Sequence, residues 1–247
     1  HKRCIFHSKA LHFRGSVSTP FPMATSIEGS AGNDLVIPDA QADDISIDTT
    51  DDLATVEIQS TVSDINLVVG GEKPVKVEGK AVKNSVVRPA AAAGETAEIT
   101  FETTKVESVT IVSEGEGAVA LDVEKGTFKK STIDLSSGSA KDSIAFGGDT
   151  KVVKTSISLG AGKDTVQFSA GIKLKGDTGI RVGDGRDVIK VPETVKGGGR
   201  IGISNFSKKD RLVVDGEKLS GSKLYKGKKD APSFITIQFE DGTVVGG

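Results

Sequence analysis

The chain has 247 residues with 32 basic and 34 acidic side chains, a near balance that excludes a chain polybasic or polyacidic throughout. Thirty glycines, 4% aromatics and no tryptophan argue against a large helical core and favour short strands joined by tight turns. No run of about 18 apolar residues occurs, so no membrane-spanning helix is expected.

At the N-terminus, His1, Cys4, His7, His12 and Met23 include every histidine, cysteine and methionine of the chain. Lys2, Arg3, Lys9 and Arg14 lie there too, with no acid before Glu28. Residues 1–22 read as an unstructured leader or a non-native extension. Cys4, His7 and His12 fall short of a four-ligand zinc pattern. From Ala24 onward there is no His, Cys or Trp. That removes Ser–His–Asp and Cys–His nucleophile arrangements, and histidine as a metal ligand or proton shuttle.

Residues 23–87 hold strand-like runs, "DDISIDTT", "ATVEIQS" and "SDINLVVGG". They predict a small acidic β module, either separate or part of one stack with the downstream residues. "RPAAAAGET", residues 88–96, mixes Pro, Ala and Gly and is the predicted linker.

Residues 97–217 carry a repeat. Asp142, Asp164, Asp187 and Asp210 are separated by 22, 23 and 23 residues. Upstream of each stands Ile133, Ile157, Ile180 or Ile203. Two residues downstream come Ile144, Val166, Ile189 and Leu212, and four downstream Phe146, Phe168, Val191 and Val214. An earlier copy, "SVTIVSEGEGAVALDV", has Val119 in the aspartate position. Each unit reads as a strand, a glycine turn, a Lys/Arg–Asp step, a second strand and a weaker third segment. One such coil cannot bury its apolar face, but coils stacked ~4.8 Å apart turn each column into a continuous apolar ladder. The expected fold is all-β: a parallel β-solenoid or β-roll of about five coils of 22–24 residues. Residues 218–247 are the expected C-terminal β cap, with a hairpin in "SFITIQFEDGTVV" turning at Asp241-Gly242.

The turns carry a motif. "GSAGNDLVI" aligns Gly29, Gly32, Asp34 and Val36; "LGAGKDTVQ" aligns Gly160, Gly162, Asp164 and Val166. "VGDGRDVIK" aligns Gly183, Gly185, Asp187 and Ile189, and "SGSAKDSIA" keeps Gly138, Asp142 and Ile144. In these turns the chain resembles the hemolysin-type (RTX) calcium-binding repeat family. The resemblance implies Ca²⁺ held between successive turns by carbonyls and carboxylates, the oxygen donors that a hard cation takes. The implied metal-site residues are Gly29, Gly32, Asp34, Asp142, Gly160, Gly162, Asp164, Gly183, Gly185 and Asp187.

A second reading needs no cofactor. Aspartates stacked ~4.8 Å apart repel by about 1 kcal/mol per adjacent pair even in water. Either Ca²⁺ neutralises that column, or the preceding cations Lys141, Lys163, Arg186 and Lys209 do. A third use of these carboxylates is catalysis, with Asp184 and Asp187 as the paired acids of a polysaccharide-degrading β-helix. Against it stand the missing tryptophan and the single tyrosine, Tyr225.

Charge divides along the chain. Residues 28–124 hold 20 acids and 6 bases, net −14, and residues 125–247 hold 14 acids and 22 bases, net +8. The basic half lacks the interleaved aromatics of a nucleic-acid binder, so nucleic acid is disfavoured as a partner. The expected function is a non-enzymatic structural or binding solenoid of a phage virion or bacterial cell surface. Its expected partners are copies of itself, other surface or virion proteins, or a surface glycan. The alternative is a secreted RTX-like calcium-binding module for adhesion or export.

Overall fold

The alternating apolar runs form strands whose apolar side chains share one interior. The structure, a computed structural model, describes residues 25–28, 35–37, 45–48, 55–70, 74–224, 234–240 and 243–246. Among these the chain is all-β apart from one turn of helix at Gly221–Leu224. Successive coils pair in parallel and build two sheets, which makes the fold a β-solenoid.

The first sheet begins with Thr25–Glu28, Ile45–Asp48, Asn66–Val69 and Val86–Pro89, then takes Thr110–Val112 and Thr132–Asp134. It ends its parallel part with Ser156–Ser158, Asp177–Arg181 and Arg200–Ser204. The second sheet runs alongside from Leu35–Ile37 to Arg211–Val214, with long strands at Thr96–Glu107, Ala118–Lys129 and Ser143–Val153. In those long strands the expected third segment is fused to the second. Further on it separates, as Lys173–Lys175, and still pairs with Ser143–Val153.

The stack holds more coils than the five expected, because it starts upstream of the repeat read from the sequence. Ser46 pairs with Asn66 and Asn66 with Val86, a step of 20 residues. Ile157, Ile180 and Ile203 pair at steps of 23. Those early coils are shorter, so their period does not fall in line with the later one. The expected linker, residues 88–96, lies inside the stack. Val86–Pro89 is paired on both sides, and the Gly117 amide donates to the Ala91 carbonyl at 2.9 Å. The small residues there mark a tight corner: a Cβ on Gly115 would sit 2.2 Å from the Ala91 oxygen.

The interior is a set of ladders. Phe101, Val123, Phe146 and Phe168 stand in register in the second sheet, and all four are buried. The Phe146 and Phe168 rings stack with centroids 5.2 Å apart, and Phe128 meets Phe146 edge-on at 5.7 Å. The corner leading back to the first sheet repeats a left-handed residue. Asp64, Asn84, Ser108, Lys130 and Lys154 all have φ between 46° and 60°. Such conformations cost non-glycine residues about 1 kcal/mol or more each. Amides of the same corner offset that cost: Ser108 donates to the Lys129 carbonyl at 2.9 Å and Lys130 to Val153 at 2.8 Å.

Antiparallel strands close the C-terminal end, as expected. Glu217–Ser220 turns back on Arg211–Val214, and Phe234–Glu240 lies antiparallel to Arg200–Ser204 and pairs with Thr243–Gly246. The Asp241-Gly242 turn lies outside the described residues.

Candidate functional site

The aspartate column occupies the turn between the two sheets in the later coils. Asp142, Asp164, Asp187 and Asp210 are buried, with 3% exposure for the first and none for the others. Each carboxylate reaches to the coil before it. The Val119 amide donates to Asp142 Oδ1 at 2.8 Å, and the Asp142 amide to Asp164 Oδ1 at 2.9 Å. The Asp164 amide donates to Asp187 Oδ1 at 3.0 Å, and the Asp187 amide to Asp210 Oδ1 at 2.9 Å. At the last coil the Ser207 amide adds a 2.6 Å bond to Asp210 Oδ2. The column is thus a run of carboxylate-to-backbone clasps, each joining two coils.

Glycines let the turns approach closely enough for this. A Cβ on Gly183 would lie 1.8 Å from the Gly160 carbonyl oxygen, and one on Gly185 the same distance from that of Gly162. Gly185 also has φ of 153°, where a side chain is strained. The turn carbonyls are engaged as well. Gly138 accepts from the Ala161 amide at 3.1 Å, and Gly162 from the Arg186 amide at 3.2 Å.

These hydrogen bonds give the carboxylates and carbonyls a use different from the one the resemblance implies. Gly160, Gly162, Asp164, Gly183, Gly185 and Asp187 do converge at adjacent turns, with Asp142 one coil earlier. One oxygen of each aspartate already holds an amide, and no group of three or more His, Cys, Asp or Glu gathers around a metal-sized space among the described residues. Gly29, Gly32 and Asp34 lie outside the described residues. The cations are no closer to the column. Lys141, Lys163, Arg186 and Lys209 are exposed, and no ion pair joins them to these aspartates among the described residues. Asp184 is exposed whereas Asp187 has no exposed surface, so the two do not face one substrate.

Burial governs the protonation of the column. Desolvation pushes Asp164 and Asp187 up to about 6, against the lowering effect of the amide each accepts. Asp142 is raised for the same first reason. Neighbouring aspartates add to the rise at Asp164 and Asp187. The second oxygens of those two residues, both Oδ2, are buried with no hydrogen-bond partner. Asp164 and Asp187 therefore shed charge only as pH falls through about 6, and above it their carboxylates are held facing amide dipoles.

Compared with family models, with curated proteins and with solved structures, the chain matches none. Its function is therefore read from its own residues.

Several contributors to the stack went unseen in the sequence. The partner of each aspartate is a backbone amide one coil away, which no side-chain pattern announces. Ser85 and Ser131 clasp the opposite corner, their hydroxyls accepting from the Ile65 and Val109 amides at 3.1 and 3.2 Å. On the outer faces, ion pairs bridge coils. Glu102 lies between Lys76 at 2.7 Å and Lys125 at 3.1 Å, and Glu107 between Lys105 and Lys129. The two lysines hold the Glu107 carboxyl down at about 2. Their signal in the sequence is a Lys–Glu alternation at the coil period, visible only once the register is known.

Proposed function

We propose that this chain is a non-enzymatic β-solenoid that works by assembly and attachment at the outer surface of a phage particle or bacterial cell. The observation that carries this reading is the order of the coils. Strands follow the chain along each sheet, so the charge split of the sequence falls along the axis of the stack. One end is acidic, the other basic. Copies placed head to tail bring opposite charges together, and a self-associating rod suits a particle or cell surface. The buried aspartates support a scaffold role, since a carboxylate without exposed surface reaches no substrate. The absence of His, Cys and Trp after Met23 supports it too.

Sedimentation velocity across protein concentration, at low and at high salt, tests this. The expected result is a mass that rises with concentration at low salt and falls back when salt screens the charges. A monomer under every condition would overturn the assembly reading.

A further inference from the structure

The outer face of the first sheet carries a groove distinct from the aspartate column. It lies along the stack axis near the C-terminal end, with a volume of about 370 Å³. Its floor exists because glycine replaces a side chain at one outward position in two successive coils. Ser156, Gly179 and Gly202 stand in register there, downstream of Thr110 and Thr132 in the same column. A Cβ at Gly179 would meet nothing within 4 Å, so the space above it is open.

The two walls differ in chemistry. On one side Arg200 grips Asp177 with two hydrogen bonds, 2.8 Å from Nε and 2.9 Å from Nη2, and both side chains remain more than half exposed. On the other side stand Arg181, exposed and in no ion pair among the described residues, and Phe234. The Phe234 ring leans over Gly202, its Cζ 3.0 Å from where a Cβ would be, and is still 57% exposed. Beyond Ser156 a second hollow shares Asp177 and Gly179 with the groove and adds the exposed Lys130 and Lys154.

We propose that this groove binds one chain of an acidic polysaccharide, a polyuronate, running along the stack axis. The proposal rests on the attachment reading above and names the ligand and the site. An exposed aromatic ring offers a face for the C–H side of a pyranose. The Asp177–Arg200 pair presents fixed acceptors and donors to sugar hydroxyls. Arg181, with its planar fork, matches a carboxylate. Lys154 and Lys130 extend positive charge in the direction of the axis. The strand spacing of ~4.8 Å is close to the length of one pyranose unit, so successive coils present contacts in step with successive sugars. Single-stranded nucleic acid fits less well, because only one ring, Phe234, is available for stacking.

Calorimetric titration of the full chain with an oligogalacturonate, the neutral cello-oligosaccharide of equal length and a single-stranded oligonucleotide tests the proposal. Saturable binding of the oligogalacturonate alone, or at least about tenfold tighter than the other two, is expected. Arg181→Ala should weaken it by about tenfold, the contribution of a charged hydrogen bond. Gly179→Thr restores the side chain that Thr132 has in the same column, so it should leave the melting temperature unchanged and abolish binding. Absence of oligogalacturonate binding would overturn the groove assignment, as would equal binding of the neutral sugar or tighter binding of the oligonucleotide. Binding indifferent to Gly179→Thr would overturn it too. Salt-reversible self-association alongside any of these would leave the assembly reading standing.

Discussion

Asp164 and Asp187 each offer one oxygen to an amide of the preceding coil and keep the other buried without a partner. Removing the acceptor at Asp187 leaves the Asp164 amide buried and unpaired. Asp187→Ala should therefore cost about 1–3 kcal/mol in urea unfolding at neutral pH, and Asp187→Asn, which keeps a carbonyl oxygen in place, should cost less. The pH dependence has a definite sign. An unfolded aspartate titrates near 3.9, and in the folded chain these two titrate at about 6. Between those values the folded chain holds protons that the unfolded chain has released. The contribution of these groups is thus fully present below about pH 4 and lost as pH rises through about 6. The ion-paired Glu107 and Asp177, both lowered, pull the other way at lower pH. Comparison with Asp164→Asn/Asp187→Asn isolates the column. Wild type should gain stability relative to that double variant as pH falls from about 7 to about 5; an unchanged difference would contradict the assignment.

At the scale of the turn and its strands, the repeated Gly-x-Gly is a device for close approach. Gly183→Ala would drive a methyl carbon to 1.8 Å from the Gly160 carbonyl oxygen, and its nearest neighbours are all backbone atoms of Leu159 and Gly160, which limits relaxation. It should destabilise the chain by about 3 kcal/mol or more, read as a large drop in melting temperature. These turns show what was legible beforehand. The columns of Ile157, Ile180 and Ile203, and of Phe146 and Phe168, are where the period places them, since alternation and a fixed spacing are properties of side chains. The partner of Asp164 was not legible, because a backbone amide leaves no trace in residue identity. The same glycines serve a metal turn and a close backbone contact, and only the coil-to-coil distances separate the two uses. Residues 88–96 misled for a related reason: Pro, Ala and Gly compose flexible joins and tight corners alike.

Over the whole molecule, each coil depends on its neighbours, and the terminal coils need covering. Arg200–Ser204 and Arg211–Val214 are covered by Phe234–Glu240 and Glu217–Ser220. Truncation before Glu217 would leave two parallel edges open, and such a chain should aggregate or form filaments where the full chain stays dispersed at high salt, as light scattering would show. The groove at Gly179 and Gly202 also belongs to this scale. A glycine pair 23 residues apart is visible in "DTGIR" and "RIGIS", but that it opens outward between an aromatic ring and two arginines follows only from the register. The later coils depend on the aspartate column acting as a coil-to-coil clasp to backbone amides. Hydrogen exchange of the Val119, Asp142, Asp164 and Asp187 amides in calcium-free buffer tests that role most directly. Protection at the level of global unfolding, unchanged by millimolar Ca²⁺, is the expected result; rapid exchange that slows only when Ca²⁺ is added would contradict it.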